Sequence, residues 1–162
     1  MPTECDRIAD QLFRMVEGDA WHGPPVDALV ADVTAEVAGA RPGPGAHSIW
    51  ELVHHMTAWA AIARRRLNGE IVEATPTEDW PPVEDTTPDA WTQAIHALDR
   101  VHGDLRRAVL ALGDTHLEDR TPGKPYSLYV LLHGVVQHTA YHAGQIAAIK
   151  RTLVTVGVVA RS

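Results

Sequence analysis

The stretch that decides the fold is residues 127–153, SLYVLLHGVVQHTAYHAGQIAAIKRTL. Apolar residues recur in it every three or four positions, which is the spacing of one face of an amphipathic helix. The residues on this face are Leu128, Leu131, Val135, Ile146, Ile149 and Leu153. The pattern predicts a long last helix from Ser127 to about Leu153, with this face turned to the core.

Two histidines interrupt that apolar face. His138 and His142 are four residues apart, so their side chains lie one turn apart on the same side of the helix, and Gln145 falls there too. Burying an imidazole without a partner is costly, and this spacing lets one helix supply two ligands to a metal ion. The pair therefore favours a metal site. The alternative is that each histidine donates to a carbonyl or carboxylate in the core.

The rest of the chain predicts three more long helices and short pieces between the first two. The predicted helical segments are residues 4–17, 26–33, 34–40, 49–67 and 88–112. Segments rich in proline or polar residues predict a loop over 75–88 and a crossing over 114–125, and residues 154–159 predict a frayed end or a short extended piece. With no repeat and no convincing strand pattern, the fold class is all-α, a four-helix bundle with short extra helices after the first.

The second long helix offers a third histidine. Its apolar face includes Leu52 and Met56, and His55 lies at the edge of that face, in line with Leu52 and Trp59. His54 points nearly away from it. Helical phase thus prefers His55 as the third ligand, and the alternative is an interfacial histidine with no ligand role.

Other polar residues receive simpler interpretations. His96, His102 and His133 fall off the apolar faces and are expected in solvent, as is the run 64–66 of three arginines. Glu51, three residues after Ser48, fits a capping box, although its place one turn before His55 also makes it a candidate general base. Tyr141 flanks the histidine face and is a candidate hydrogen-bond donor to a ligand.

Composition excludes several classes of protein. A net charge of -7 without a large basic cluster argues against nucleic-acid binding. No apolar run reaches the ~20 residues of a membrane span, and the charged N-terminus is unlike a signal peptide. A lone cysteine, Cys5, forms neither an intramolecular disulfide nor a cysteine-based zinc finger. The chain of 162 residues is thus expected to be one domain, 1–162, in the cytoplasm.

Three segments carry a family likeness that spans nearly the whole chain. Residues 45–70, GAHSIWELVHHMTAWAAIARRRLNGE, and residues 131–151, LLHGVVQHTAYHAGQIAAIKR, resemble the second and last helices of the DinB/YfiT-like metal-dependent bundle family. Residues 20–45 are similar to the run between its first and second helices. The resemblance implies an antiparallel four-helix bundle with a long crossover, and a divalent metal bound by His55, His138 and His142.

The resemblance also implies a function. Its relatives include thiol-dependent transferases and isomerases, so we expect a metal-dependent enzyme performing thiol S-transfer or hydrolysis of a small molecule. A non-catalytic metal- or ligand-binding bundle is the alternative. Zinc is the first choice of metal, with nickel, manganese or iron as alternatives, and a low-molecular-weight thiol is a candidate cofactor. Gln145, Tyr141 and Glu51 are candidates to support the ligands or contact substrate, no catalytic base is assigned, and a homodimer formed through helix faces is expected.

Overall fold

Helices account for all the regular secondary structure in the computed structural model, which describes residues 1–155. The α-helices are α1 Glu4–Val16, α2 Val26–Val30, α3 Ala35–Gly39, α4 Ile49–Leu67, α5 Pro76–Asp79, α6 Pro88–Leu112 and α7 Leu128–Thr155, and one turn of 3-10 helix spans Asp114–His116. The all-α prediction is therefore confirmed, with the short helices after α1 a few residues shorter than expected. Of the predicted tail piece, residues 156–159 lie outside the described residues. No helix within residues 1–155 is both long and apolar enough to cross a bilayer.

Side-chain caps explain where the helices begin. The predicted box at the start of α4 is present, because the Ser48 hydroxyl accepts from Glu51 N–H and the Glu51 carboxylate accepts from Ser48 N–H. The first N–H groups of a helix have no partner within it, so each such bond removes an unsatisfied donor. The same box recurs at Thr75 and Glu78, and it begins α5 inside the segment predicted to be a loop. The loop prediction over 75–88 was wrong for this turn.

The four long helices pack in a ring. α4 packs mainly against α6 and α7, and α1 packs mainly against the same two helices. Since α1 and α4 share both neighbours, they face each other across the bundle, and residues 17–48, with α2 and α3, connect the two positions. The antiparallel direction of neighbouring helices stays a prediction.

The apolar core is divided into two clusters along the bundle. One contains Trp50, Met56, Leu98 and Ile146, and the other contains Leu12, Leu105, Leu132 and Val135, among others. Each cluster takes residues from all four long helices. Along α6 and α7, the residues between the clusters include polar ones: His102, His138, Thr139 and His142. A layer of polar side chains thus lies between the two apolar clusters, near the middle of the bundle.

Two side chains expected in solvent are buried. His102 is 4% exposed and Arg66 is 3% exposed. His102 shares its face with Leu98 and Leu105, and this face is wider than one apolar stripe because α6 packs against both α1 and α4. The run of three arginines predicted solvent exposure for Arg66, but this position of α4 lies on the buried side of the helix. His133, also expected in solvent, is half-buried, whereas His96 and Arg64 are exposed as predicted.

Candidate metal centre

Three imidazoles meet where α4 packs against α7. His55 comes from α4, and His138 and His142 come from successive turns of α7. The Nε2 atom of His138 lies 2.9 Å from Nε2 of His55 and 3.0 Å from Nε2 of His142. One ring nitrogen of each residue lies within 4.8 Å of the others, in a set that suits a metal ion. The structure thus brings the predicted pair, His138 and His142, together with His55, the histidine predicted at the edge of the α4 apolar face.

Hydrogen bonds on the far side of two rings fix which nitrogen carries the proton. Nδ1 of His55 lies 2.6 Å from the Asp79 carbonyl oxygen, and Nδ1 of His142 lies 2.6 Å from Gln145 Oε1. These oxygens only accept, so each Nδ1 carries the hydrogen and each Nε2 presents a lone pair to the centre. His138 Nε2 has at most one proton, and it cannot donate fully to both lone pairs. Hydrogen bonds among the three Nε2 atoms therefore cannot satisfy all of them, whereas one cation bound between them can.

The spacing of the nitrogens is close to that of ligands on a shared ion. Imidazole nitrogen binds zinc at about 2.0–2.1 Å, so two such ligands on one tetrahedral ion are about 3.3–3.4 Å apart. The separations to His138 Nε2 are 2.9 and 3.0 Å, so the rings need to move apart by only a few tenths of an ångström to hold the ion. Outer partners of this kind, a backbone carbonyl and a side-chain amide, are what orient histidine ligands in metal sites.

Electrostatics keep the three rings neutral. Burial, together with the nearby His142 and His55, lowers the pKa of His138 to about 3. Burial is also the largest cause that lowers the pKa of His55 and of His142. A metal ion binds neutral imidazole, so the centre is in its ligand form at pH 7 without having to release protons.

The short helix α5, unexpected from sequence, closes over His55. The indole of Trp80, just after α5, stacks on the His55 ring at 3.8 Å between centroids, and His47 stacks on the same indole at 3.7 Å. Asp79 accepts from Trp59 Nε1 at 2.7 Å and lies 3.3 Å from His55 Nδ1 through the same oxygen, Oδ1. Asp79 and Trp80 were missed by sequence reasoning, although the Thr75–Glu78 capping box signalled the helix that positions them.

The remaining candidates from sequence lie in different places. Gln145 touches His142 directly and donates through Nε2 to the Tyr141 hydroxyl at 3.3 Å. Tyr141 is 65% exposed, with its ring edge-on to His142. Glu51 caps α4 and pairs with Arg41, which supports the capping interpretation over the general-base one. His54 accepts from Trp50 Nε1 at 3.1 Å, away from the three-histidine cluster as predicted.

A cavity of about 430 Å³ opens beside the three-histidine cluster, and two of its histidines, His55 and His138, line it. His55, His138 and Asp79 lie at its polar end, and its walls are largely apolar, formed by Trp59, Val130, Leu131 and Val135 among others. A volume of this size falls in the range of small-molecule sites. A ligand that fills the cavity therefore lies against His55 and His138.

Comparison with known proteins gives one match. The model of the DinB superfamily matches residues 24–146, a span that includes all three histidines. Searches of curated proteins and of solved structures gave no significant match. Since the matched span covers well over half of the chain, the protein belongs to the DinB superfamily.

Proposed function

We propose that the protein is a metal-dependent enzyme that uses His55, His138 and His142 to bind one divalent ion and acts on a small molecule. The observation that carries the proposal is the convergence of three neutral imidazoles, two of which line a cavity large enough for a ligand. Three protein ligands leave a coordination position open, as in catalytic zinc sites.

Zinc is the ion we propose first, because three imidazoles suit it, although nickel, manganese and iron also accept such ligands. Bound there, the ion would acidify a water or thiol nucleophile. The two reactions we propose, hydrolysis and thiol S-transfer, share this chemistry and differ in the nucleophile.

The chain's own groups supply the orientation of the ligands. The Asp79 carbonyl and the Gln145 amide hold His55 and His142 with their lone pairs toward the centre. The Asp79 carboxylate lies on the Nδ1 side of His55 and accepts from Trp59 Nε1, so it helps to fix the His55 ring from the side opposite the centre. The apolar walls keep competing water from the reacting atoms.

Metal analysis of single variants tests the ligand set. His55→Ala, His138→Ala and His142→Ala should each lose the metal, because two imidazoles hold it far less well than three. His54→Ala and His133→Ala are matched controls from the same two helices and should retain it. Retention by all five variants would place the metal elsewhere or exclude it. Loss in His54→Ala but not in His55→Ala would refute the ligand assignment on α4.

Turnover is tested separately, on protein that has been shown to hold metal. A panel of esters and amides tests hydrolysis, and a thiol with an alkyl or aryl electrophile tests S-transfer. Activity in either panel that disappears in His138→Ala supports the enzyme. Stoichiometric metal with no turnover in either panel favours the alternative, a binding module. Bound metal should also stabilise the fold, by about 2.7 kcal/mol when its free concentration is 100 times its Kd.

A further inference from the structure

Arg66 is a buried cation that forms no ion pair with any residue in the described part of the chain. Its neighbours in the arginine run have partners, Asp104 for Arg64 and Glu70 for Arg65, whereas no ion pair within residues 1–155 includes Arg66. The side chain is only 3% exposed. Burying a charge without an opposite charge is expensive, so the folded protein keeps Arg66 at a cost.

The hydrogen bonds of Arg66 leave donor capacity unused. Nη2 donates to the Val72 carbonyl at 2.8 Å, and Nη1 makes a long bond of 3.4 Å to the Tyr126 hydroxyl. Nε has no acceptor. The guanidinium also lies over the Trp59 ring, 5.7 Å from its centroid. These contacts hold the side chain in place without neutralising it.

Arg66 lies in the wall of the same cavity that His55 and His138 line. It lines the space of about 430 Å³ together with His55, and also lines a neighbouring space of about 350 Å³. Lys124, the other cation of the second space, already pairs with Glu73 at 2.7 Å. Glu73 is near enough for the charge of Arg66 to help lower its pKa, but its ion pair is with Lys124. Among the described lining residues, Arg66 is thus the cation that has no carboxylate at ion-pair distance.

The cavity has polar groups at two places and apolar walls between them. His55 and Arg66 are eleven residues apart on α4, which separates their backbones by about 16 Å along the helix axis. Trp59 lies between them on the same helix, and Leu131 and Val135 line the cavity from α7. A ligand that contacts both polar places therefore carries its charged group several bonds away from its reacting group.

We propose that the substrate is a small carboxylate with an apolar body, held by Arg66 and the Tyr126 hydroxyl while its reacting group meets the histidine centre. This substrate class rests on the proposed function of the same site. A carboxylate matches the planar donor fork of a guanidinium, and it supplies the missing negative charge. The apolar body is bound by the walls that α4 and α7 provide.

Calorimetric titration with a matched pair of probes tests this substrate class. The probes are 4-phenylbutyrate and its neutral amide, titrated into metal-loaded and metal-free protein. The acid should bind at least tenfold more tightly than the amide, and Arg66→Gln should remove that preference. Arg64→Gln, an exposed arginine on the same helix, should leave the preference intact.

A second variant covers the case in which Arg66→Gln fails to fold. Gly134 lines the cavity, and a Cβ atom built there meets nothing within 4 Å. Gly134→Leu should therefore fill the cavity and abolish acid binding without disturbing the core. Gly144→Leu is the matched control on α7, because Gly144 is exposed and a Cβ there also meets open space, so binding should persist.

The outcomes separate this substrate class from the proposed function. Equal binding of acid and amide to the wild type, or no binding of either, would overturn the carboxylate site even if the protein holds metal. Acid binding that persists in Gly134→Leu would overturn it as well. Conversely, Arg66-dependent acid binding by a protein that takes up no metal would support the carboxylate site and refute the metal-dependent function.

Discussion

Replacing buried His102 with leucine should make the metal-free protein more stable. His102 Nε2 is buried and has no hydrogen-bond partner among the residues that the structure describes, a defect that costs about 1–3 kcal/mol. Its Nδ1 lies 3.0 Å from the Leu98 carbonyl oxygen, and the loss of that hydrogen bond lowers the free energy of unfolding by about 1 kcal/mol. Leucine adds apolar contact with its neighbours on α6, so we expect a net gain of about 1–2 kcal/mol.

Urea unfolding followed by circular dichroism, with a chelator at pH 7.5, measures this change. The melting temperature should rise by about 2–4 °C for each kcal/mol in a domain of this size. His96→Leu, an exposed position on the same helix, should stay within about 0.5 kcal/mol of the wild type. A loss of 1 kcal/mol or more in His102→Leu would show that Nε2 has a partner after all, such as an enclosed water molecule.

The pH dependence of the same pair gives an independent check. Burial lowers the pKa of His102 below its ordinary value of 6.5. As pH falls through that value, the unfolded chain takes up a proton at His102 and the folded chain does not, so the wild type loses stability. His102→Leu lacks this loss, and its advantage over the wild type should grow between pH 7.5 and 5.5. A constant advantage would contradict the burial of a neutral His102.

Two further predictions concern single side chains. Gln145→Ala removes the acceptor of His142 Nδ1 and should weaken metal affinity by about 10- to 100-fold in a chelator competition, with unchanged affinity counting against that role. Burial and nearby Asp99 raise the pKa of Asp27 to about 7. Protonation of Asp27 therefore stabilises the folded state at low pH, and this contribution is lost as pH rises from about 4 to 7. Asp27→Asn should therefore gain stability relative to the wild type between pH 4.5 and pH 8 in urea unfolding, and parallel pH profiles would refute this.

The ligand candidates were predictable because helical phase is a local property. His138 and His142 replace apolar residues at positions of α7 where the spacing demands burial, and His55 continues the line of Leu52 on α4. The start of α4 was predictable for the same reason, since Ser48 and Glu51 form a capping box within one turn.

The phase of α6 was harder to read from sequence. Its buried positions include Ala94, a small residue that marks a face weakly, whereas the larger Ile95 and Val101 are only partly buried, so the large apolar residues of α6 do not outline its buried face. Packing against two helices then widened the face to include His102. A histidine on such a face gives no local sign of burial.

Arg66, Asp79 and Trp80 depend on contacts between distant parts of the chain. The Arg66 guanidinium is held by Val72 and Tyr126, and Trp80 is placed by α5 against a ring on α4. Charge suggested solvent for Arg66, and four prolines suggested a loop around Trp80. Periodicity within one helix contains no information about such pairings. The homodimer, the cytoplasmic location and the identity of the metal stay predictions.

The division of the core makes the metal experiments interpretable. Each apolar cluster contains residues from α1, α4, α6 and α7, so the helices are packed together both above and below the histidine layer. Loss of the metal removes support from that layer, but the apolar area buried in the two clusters is unchanged. The metal-free protein should therefore keep its helical circular dichroism while it melts at a lower temperature. A histidine variant that loses both metal and helix would instead report on folding and not on the ligand set.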